Sequence, residues 1–157
     1  MHTYVSRIAE AVLQGEFMSD NVSTTGGFLL WRATNAWQRA QRAALEPFDL
    51  THVQYALLAT LASADKKGIS QAAASAASGV DPMTTSQVLR GLESRELVLR
   101  TAHPEDRRAH RVTVTTNGRA VVKKATPKVD RADAEFFAPA GGDKARVLSA
   151  LAKIAGV

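Results

Sequence analysis

The chain has 157 residues, 45% hydrophobic and 22% charged, with 20 Lys and Arg against 15 Asp and Glu for a net charge of +5. That length suits one domain with a buried core, the composition excludes extended disorder, and the cationic excess favours a polyanionic partner. Cys is absent, which excludes disulfides, thiolate metal centres and thiol redox switches.

No apolar run approaches the roughly 18 residues of a membrane span, and no basic patch leads into a short apolar core at the start. A cytoplasmic protein with no membrane association is the expectation. Residues 1–25 read as an N-terminal extension, partly helical or disordered. Val5, Ile8 and Val12 give it a weak helical pattern, and a polar stretch from Ser19 to Gly27 closes it.

From Phe28 to about Glu46 the pattern is helical, with Leu30, Trp37 and Ala44 seven residues apart and Arg32, Arg39 and Arg42 facing elsewhere. Pro47 ends this helix, because it disfavours the helical conformation of the residue before it. Thr51 opens the next one with a capping box, in which its hydroxyl and the Gln54 side chain satisfy each other's amides. Val53, Leu57, Leu58 and Leu61 supply its buried face. Ser70 caps a short Ala-rich helix to Ala77, and Gly79 allows a sharp turn.

Asp81 is a further N-cap and Pro82 fits the first helical position, where no amide is needed. In the helix that runs on to about Arg95, Thr85, Val88, Leu89 and Leu92 share the inward face. Thr84, Ser86, Gln87 and Arg90 point the other way. Two alternating stretches follow, Leu97 to Ala102 and Arg111 to Thr115, joined by the charge-dense segment HPEDRRAH, so a hairpin with a protruding loop is expected. A long helix from Thr116 to about Phe137 holds Pro127, which should kink it. A loop at 138–142 leads to Asp143, read as the cap of a last helix to about Ile154.

The fold class that results is mainly α with a small β-hairpin wing: a winged helix-turn-helix at about 51–115, inside a single domain spanning 26–157. Gln pairs bidentately with adenine and Arg with guanine, while Ser and Thr hydroxyls suit bases or phosphates. The helix from Asp81 therefore reads as a base-contacting element. Arg100, Arg107, Arg108 and Arg111 crowd the hairpin, and arginine suits a narrow minor groove. Asp106, two residues from Arg108, is placed to orient it. The four histidines form no metal-spaced set, and no metal-protease, phosphate-loop, dinucleotide or nucleophile-elbow motif occurs. Neither an enzyme, nor a metal, nor a cofactor is expected.

The run Thr51-His-Val-Gln-Tyr-Ala-Leu-Leu, the segment Asp81 to Glu93, and Asp106-Arg-Arg followed by Val-Thr-Val-Thr-Thr-Asn-Gly118 resemble the MarR family of winged helix-turn-helix transcriptional regulators. Two departures are a Val at 114, where the family usually has Leu, and the missing Glu-Leu-Ala opening of the Ala-rich helix. The resemblance implies a homodimer closed by N- and C-terminal helices, at about 28–46 and 116–155. It implies double-stranded DNA as partner, and repression of a palindromic operator relieved by a small, often aromatic or phenolic effector. By position, Thr84, Ser86, Gln87 and Arg90 would contact DNA from the recognition helix, and Arg107 and Arg108, with Asp106, from the wing. Trp31, Trp37, His52 and Tyr55, with Arg32 close by, are the candidates to line a ligand pocket, although each residue type is more often core or surface. The alternative is a winged-helix module that binds protein or RNA without reading DNA sequence.

Overall fold

Three polar residues start three consecutive helices. Thr51 Oγ1 accepts from the Gln54 amide at 3.2 Å while Gln54 Oε1 accepts from the Thr51 amide at 2.8 Å; Ser70 and Asp81 accept from the amides of Ala73 and Thr84. Each takes up an amide that has no partner within its own helix. The computed structural model describes residues 25–64, 67–102 and 110–156.

In chain order the elements are α1 (Gly26–Leu45), a 3-10 turn (Glu46–Phe48), α2 (His52–Ser63), β1 (Ile69–Ser70), α3 (Gln71–Ser78), α4 (Pro82–Ser94), β2 (Val98–Ala102), β3 (His110–Val114), α5 (Thr116–Phe137), a second 3-10 segment (Ala138–Asp143) and α6 (Lys144–Ala155). Residues 1–24, and with them the expected N-terminal extension, lie outside the described residues, apart from Thr25.

The chain divides after Trp37 into two compact units. Within the first, Phe28 stacks on Trp31 with ring centroids 5.8 Å apart, and Leu29, Leu30 and Trp31 are exposed. The second unit holds the core. Leu57, Leu58 and Leu61 of α2 meet Leu89 and Leu92 of α4, Ala74 of α3, Val112 of β3 and Ala125 of α5. Full burial of each of these leucines is worth about 1.5–3 kcal/mol.

The sheet has three strands in the order β1-β3-β2, all antiparallel, with Val98 opposite Val114, Arg100 opposite Val112, and Ile69 also opposite Val112. The two-residue strand β1 is an addition to the expected hairpin. Val98 is buried and Leu99 is 54% exposed, so one face of the hairpin packs inward and the other faces solvent.

At the far side of the sheet, Thr115 caps α5 and also ties it to the turn before β2. Its hydroxyl donates to the carbonyls of Glu96 and Leu97 at 2.8 and 3.1 Å and accepts from the Gly118 amide at 2.9 Å. Helix α5 runs without interruption through Pro127. The expected Asp143 cap is not formed. Residues 138–143 form 3-10 turns broken at Gly141, where φ of 52° and ψ of −127° leave the helical region; Asp143 itself has helical dihedrals, and its carboxylate pairs with Arg146 at 3.3 Å. Val147, Leu148 and Ile154 of α6 are exposed, and no α6 residue is buried in the single chain.

Candidate nucleic-acid interface

The geometry between α3 and α4 is set by two buried hydroxyls that share one carbonyl. Ser75 Oγ donates to the Val80 oxygen at 2.6 Å and Thr85 Oγ1 donates to it at 3.2 Å. Gly79, with φ of 70°, supplies the left-handed residue at which the chain breaks. Because Thr85 is fully buried, its bond fixes the roll of α4 as well as the turn.

That roll decides what α4 presents. With Thr85, Leu89 and Leu92 buried, the 100° spacing of a helix sends Met83, Gln87 and Arg90 to the opposite side. Gln87 and Arg90 are exposed as expected. Thr84 and Ser86 are half-buried on the two flanks rather than at the centre of the face. Arg90 Nη1 donates to Ser86 Oγ at 3.2 Å, which holds the guanidinium along the helix and leaves its remaining N–H groups available. Hydrogen bonds from the Thr84 side chain and amide hold the Asp81 carboxyl below its ordinary value, so the cap is present near neutral pH and is lost as pH falls through that lowered value.

Met83 is the position that pattern reasoning passed over. It is 82% exposed, the highest figure for a large hydrophobic residue among the described ones. The signal was available: Met83, Gln87 and Arg90 are spaced i, i+4, i+7. Its apolar side chain nevertheless departs from the polar pattern of that face.

In the hairpin, two of the arginines are committed to the protein. Arg100 pairs with Glu93 of α4 at 3.7 Å, and Arg111 Nη1 donates to the Lys67 carbonyl at 3.4 Å. Both tie the strands of the hairpin to neighbouring segments of the protein. Asp106, Arg107 and Arg108 lie outside the described residues.

The ligand candidates separate. Trp31 is exposed and Trp37 half-buried, both on α1 before the division of the chain. His52 and Tyr55 sit one turn apart on α2. Tyr55 is a core residue whose hydroxyl shares a 3.0 Å hydrogen bond with Thr126 Oγ1 of α5. His52 is half-buried, and desolvation pushes its pKa below the ordinary 6.5, which favours the neutral imidazole. Among the described residues no cluster of His, Asp or Glu could hold a metal, and no helix is long and apolar enough to cross a membrane.

Comparison with known proteins places this geometry. The MarR family model matches residues 50–110. The uncharacterized HTH-type transcriptional regulator YdcH of Bacillus subtilis is 38% identical over 120 residues, covering 75% of this chain and 82% of that protein. The transcriptional repressor CouR bound to a 23-mer DNA duplex superposes with a TM-score of 0.78 at 28% identity, covering 88% of this chain and 98% of the other. CouR from Rhodococcus jostii RHA1 bound to p-coumaroyl-CoA superposes with a TM-score of 0.73 at 32% identity, covering 87% and 96%.

Proposed function

The chain belongs to the MarR family of DNA-binding transcriptional regulators, and from that premise we propose that it acts as a homodimeric repressor of a palindromic operator, released by a small aromatic ligand. The observation that carries the DNA reading is the outer face of α4, where Gln87 and Arg90 stand exposed on a helix locked in roll by Thr85.

In this reading α4 enters the major groove. Gln87 and Arg90 meet base edges, Thr84 and Ser86 meet the groove walls, and Met83 lays its thioether against thymine methyl groups. Arg107 and Arg108 reach the neighbouring minor groove, with Asp106 orienting Arg108. A homodimer is supported by the exposed Val147, Leu148 and Ile154 of α6, which as a group have no cover among the described residues. The exposed Leu29, Leu30 and Trp31 of α1 give the same support independently. Two-fold symmetry would repeat the groove contact about 34–36 Å away, one turn of DNA.

For the effector, Trp31, Trp37, His52 and Tyr55 remain the candidates. Neutral His52 suits a hydrogen bond to a phenolic or carboxylic group better than an ion pair. CouR bound to p-coumaroyl-CoA supports an aromatic acyl or acid chemistry. A panel of phenolic acids titrated against the protein–DNA complex should contain at least one that releases DNA. Release that is unchanged in His52→Gln and in Trp31→Ala would remove these residues from the site.

Two contrasts test the DNA contacts. Gln87→Ala should change base preference at one position in each half-site, by about 1–3 kcal/mol between bases. Arg108→Ala should weaken binding evenly over all sequences and reduce its salt dependence. Identical salt titrations for the wild type and Arg108→Ala would end the role given to the wing. For Met83, replacing single thymines in the bound duplex by deoxyuridine removes only the methyl group. Affinity should fall severalfold at one thymine per half-site for the wild type and stay unchanged for Met83→Ala. Equal sensitivity in both proteins would exclude the contact.

A further inference from the structure

Beside the C-terminal end of α4 the second unit carries an open cavity of about 770 Å³. Arg39 and Arg42 of α1 form one wall, and Gly91 and Ser94 of α4 form the other. Both arginines are exposed, and neither has an ion pair or hydrogen bond among the described residues. We propose that Arg39 and Arg42 form a phosphate-binding wall, which takes the sugar-phosphate backbone of the duplex held by α4. This rests on the reading that α4 lies in the major groove.

The argument is one of continuity and charge. Gly91 follows Gln87 by one turn and Ser94 follows Arg90 by one turn, so the cavity begins where the base-reading face ends. A Cβ built on Gly91 would meet nothing within 4 Å, so that edge of α4 is open to a close-approaching strand. The other cavity groups are already occupied. Arg95 donates to the carbonyls of Asp49 and Phe48 at 2.6 and 3.2 Å and pairs with the Asp49 carboxylate at 3.4 Å. Thr51 and Gln54 are bonded to each other in the capping box.

That leaves two cations, Arg39 and Arg42, against one acid, Glu46, as the charges without a partner. An arginine fork binds phosphate oxygens bidentately, and an open cleft leaves room for a backbone that passes through. The wall would hold the register of α4 on the duplex and add no base preference of its own.

The test is a salt titration of binding to a duplex enriched from a random-sequence library, using the full chain. Each phosphate contact contributes about 0.9 to the slope of log K against log salt. Arg39→Ala and Arg42→Ala should each flatten the slope by about that amount per bound chain, with base preference unchanged, and Arg39→Lys should largely restore it. Glu46→Gln should raise affinity, a gain that a folding defect would not produce.

Wild-type slopes in both alanine variants, with the wild type binding normally, would overturn the proposal and leave the DNA reading intact. Failure of the wild type to bind any duplex would overturn both. Benzoate or inorganic phosphate binding to the DNA-free protein in an Arg39-dependent way, with the slopes unchanged, would assign the cavity to a free anion instead.

Discussion

Leu89→Ala should lower the free energy of unfolding by about 3 kcal/mol, within the roughly 2–5 kcal/mol typical of a buried leucine truncated to alanine. Leu89 is fully buried on the inner side of α4, within the same core as Leu57, Leu58 and Leu92. The truncation leaves a void that rigid neighbours on three helices cannot close. Against a total of about 5–15 kcal/mol for a domain of ordinary stability, that is a large fraction. Urea unfolding followed by circular dichroism gives the number. The folded fraction should keep the wild-type base preference, since the outer residues of α4 are untouched. Gln87→Ala should do the reverse, with wild-type stability and altered preference. If Leu89→Ala changed preference at unchanged stability, the division of α4 into an anchoring and a reading face would be wrong.

Gly118→Val should cost about 3 kcal/mol, at the upper end of what overpacking does. Gly118 lies in the first turn of α5 with its amide on Thr115 Oγ1. A Cβ there would run into the Leu97 carbonyl, and it would come within 2.8 Å of Val114 Cγ2. The backbone of this glycine is ordinary, so space and not dihedral freedom requires it. A substitution at Gly91 has the opposite sign. Gly91→Ala points into open space in mid-helix and should stabilise by about 0.5–1 kcal/mol through helix propensity. The pair is measured in one set of urea titrations. Equal effects at the two glycines would show that the contact of α5 with the start of β2 is looser than described. A loosened contact there also matters for function, because Thr115 and Gly118 fix the base of the wing to the long helix.

What could be read before the structure was known was the local chemistry. Thr51 with Gln54, Ser70, Gly79 and Asp81-Pro82 mark helix ends because a capping bond spans only three residues, and all of them do what their spacing implies. The inward leucines of α2 and α4 were equally plain, since a buried stripe imposes its own period. Strand β1 was not visible, because two residues carry no alternation and Ile69 is recruited by pairing with Val112 some forty residues later. The bond of the Tyr55 hydroxyl to Thr126 was equally invisible, because its partner stands on a helix some seventy residues later. Asp143 has the residue type of a cap, but after the break at Gly141 it takes helical dihedrals, and its carboxylate turns to Arg146.

The site shows the same boundary. Gln87 and Arg90 are legible as outward-facing positions because they lie opposite a leucine stripe. Met83 is not, because an apolar residue on that face contradicts the pattern and is identified as outward-facing only by its exposure. Arg100 and Arg111 count with the wing cations in sequence, yet in space they are bound to Glu93 and to the Lys67 carbonyl. Arg39 and Arg42 look like ordinary solvated residues of α1 until α4 is seen to form the other wall of their cavity.

The central claim is that a two-fold pair of these chains reads a palindrome through α4, and selection from a pool of random duplexes tests it most directly. The enriched sequences should contain an inverted repeat with half-site centres about 10 base pairs apart, and selection with Gln87→Ala should return the same spacing with a changed base at one position in each half. Enrichment of no common sequence, or of a site without two-fold symmetry, would contradict it.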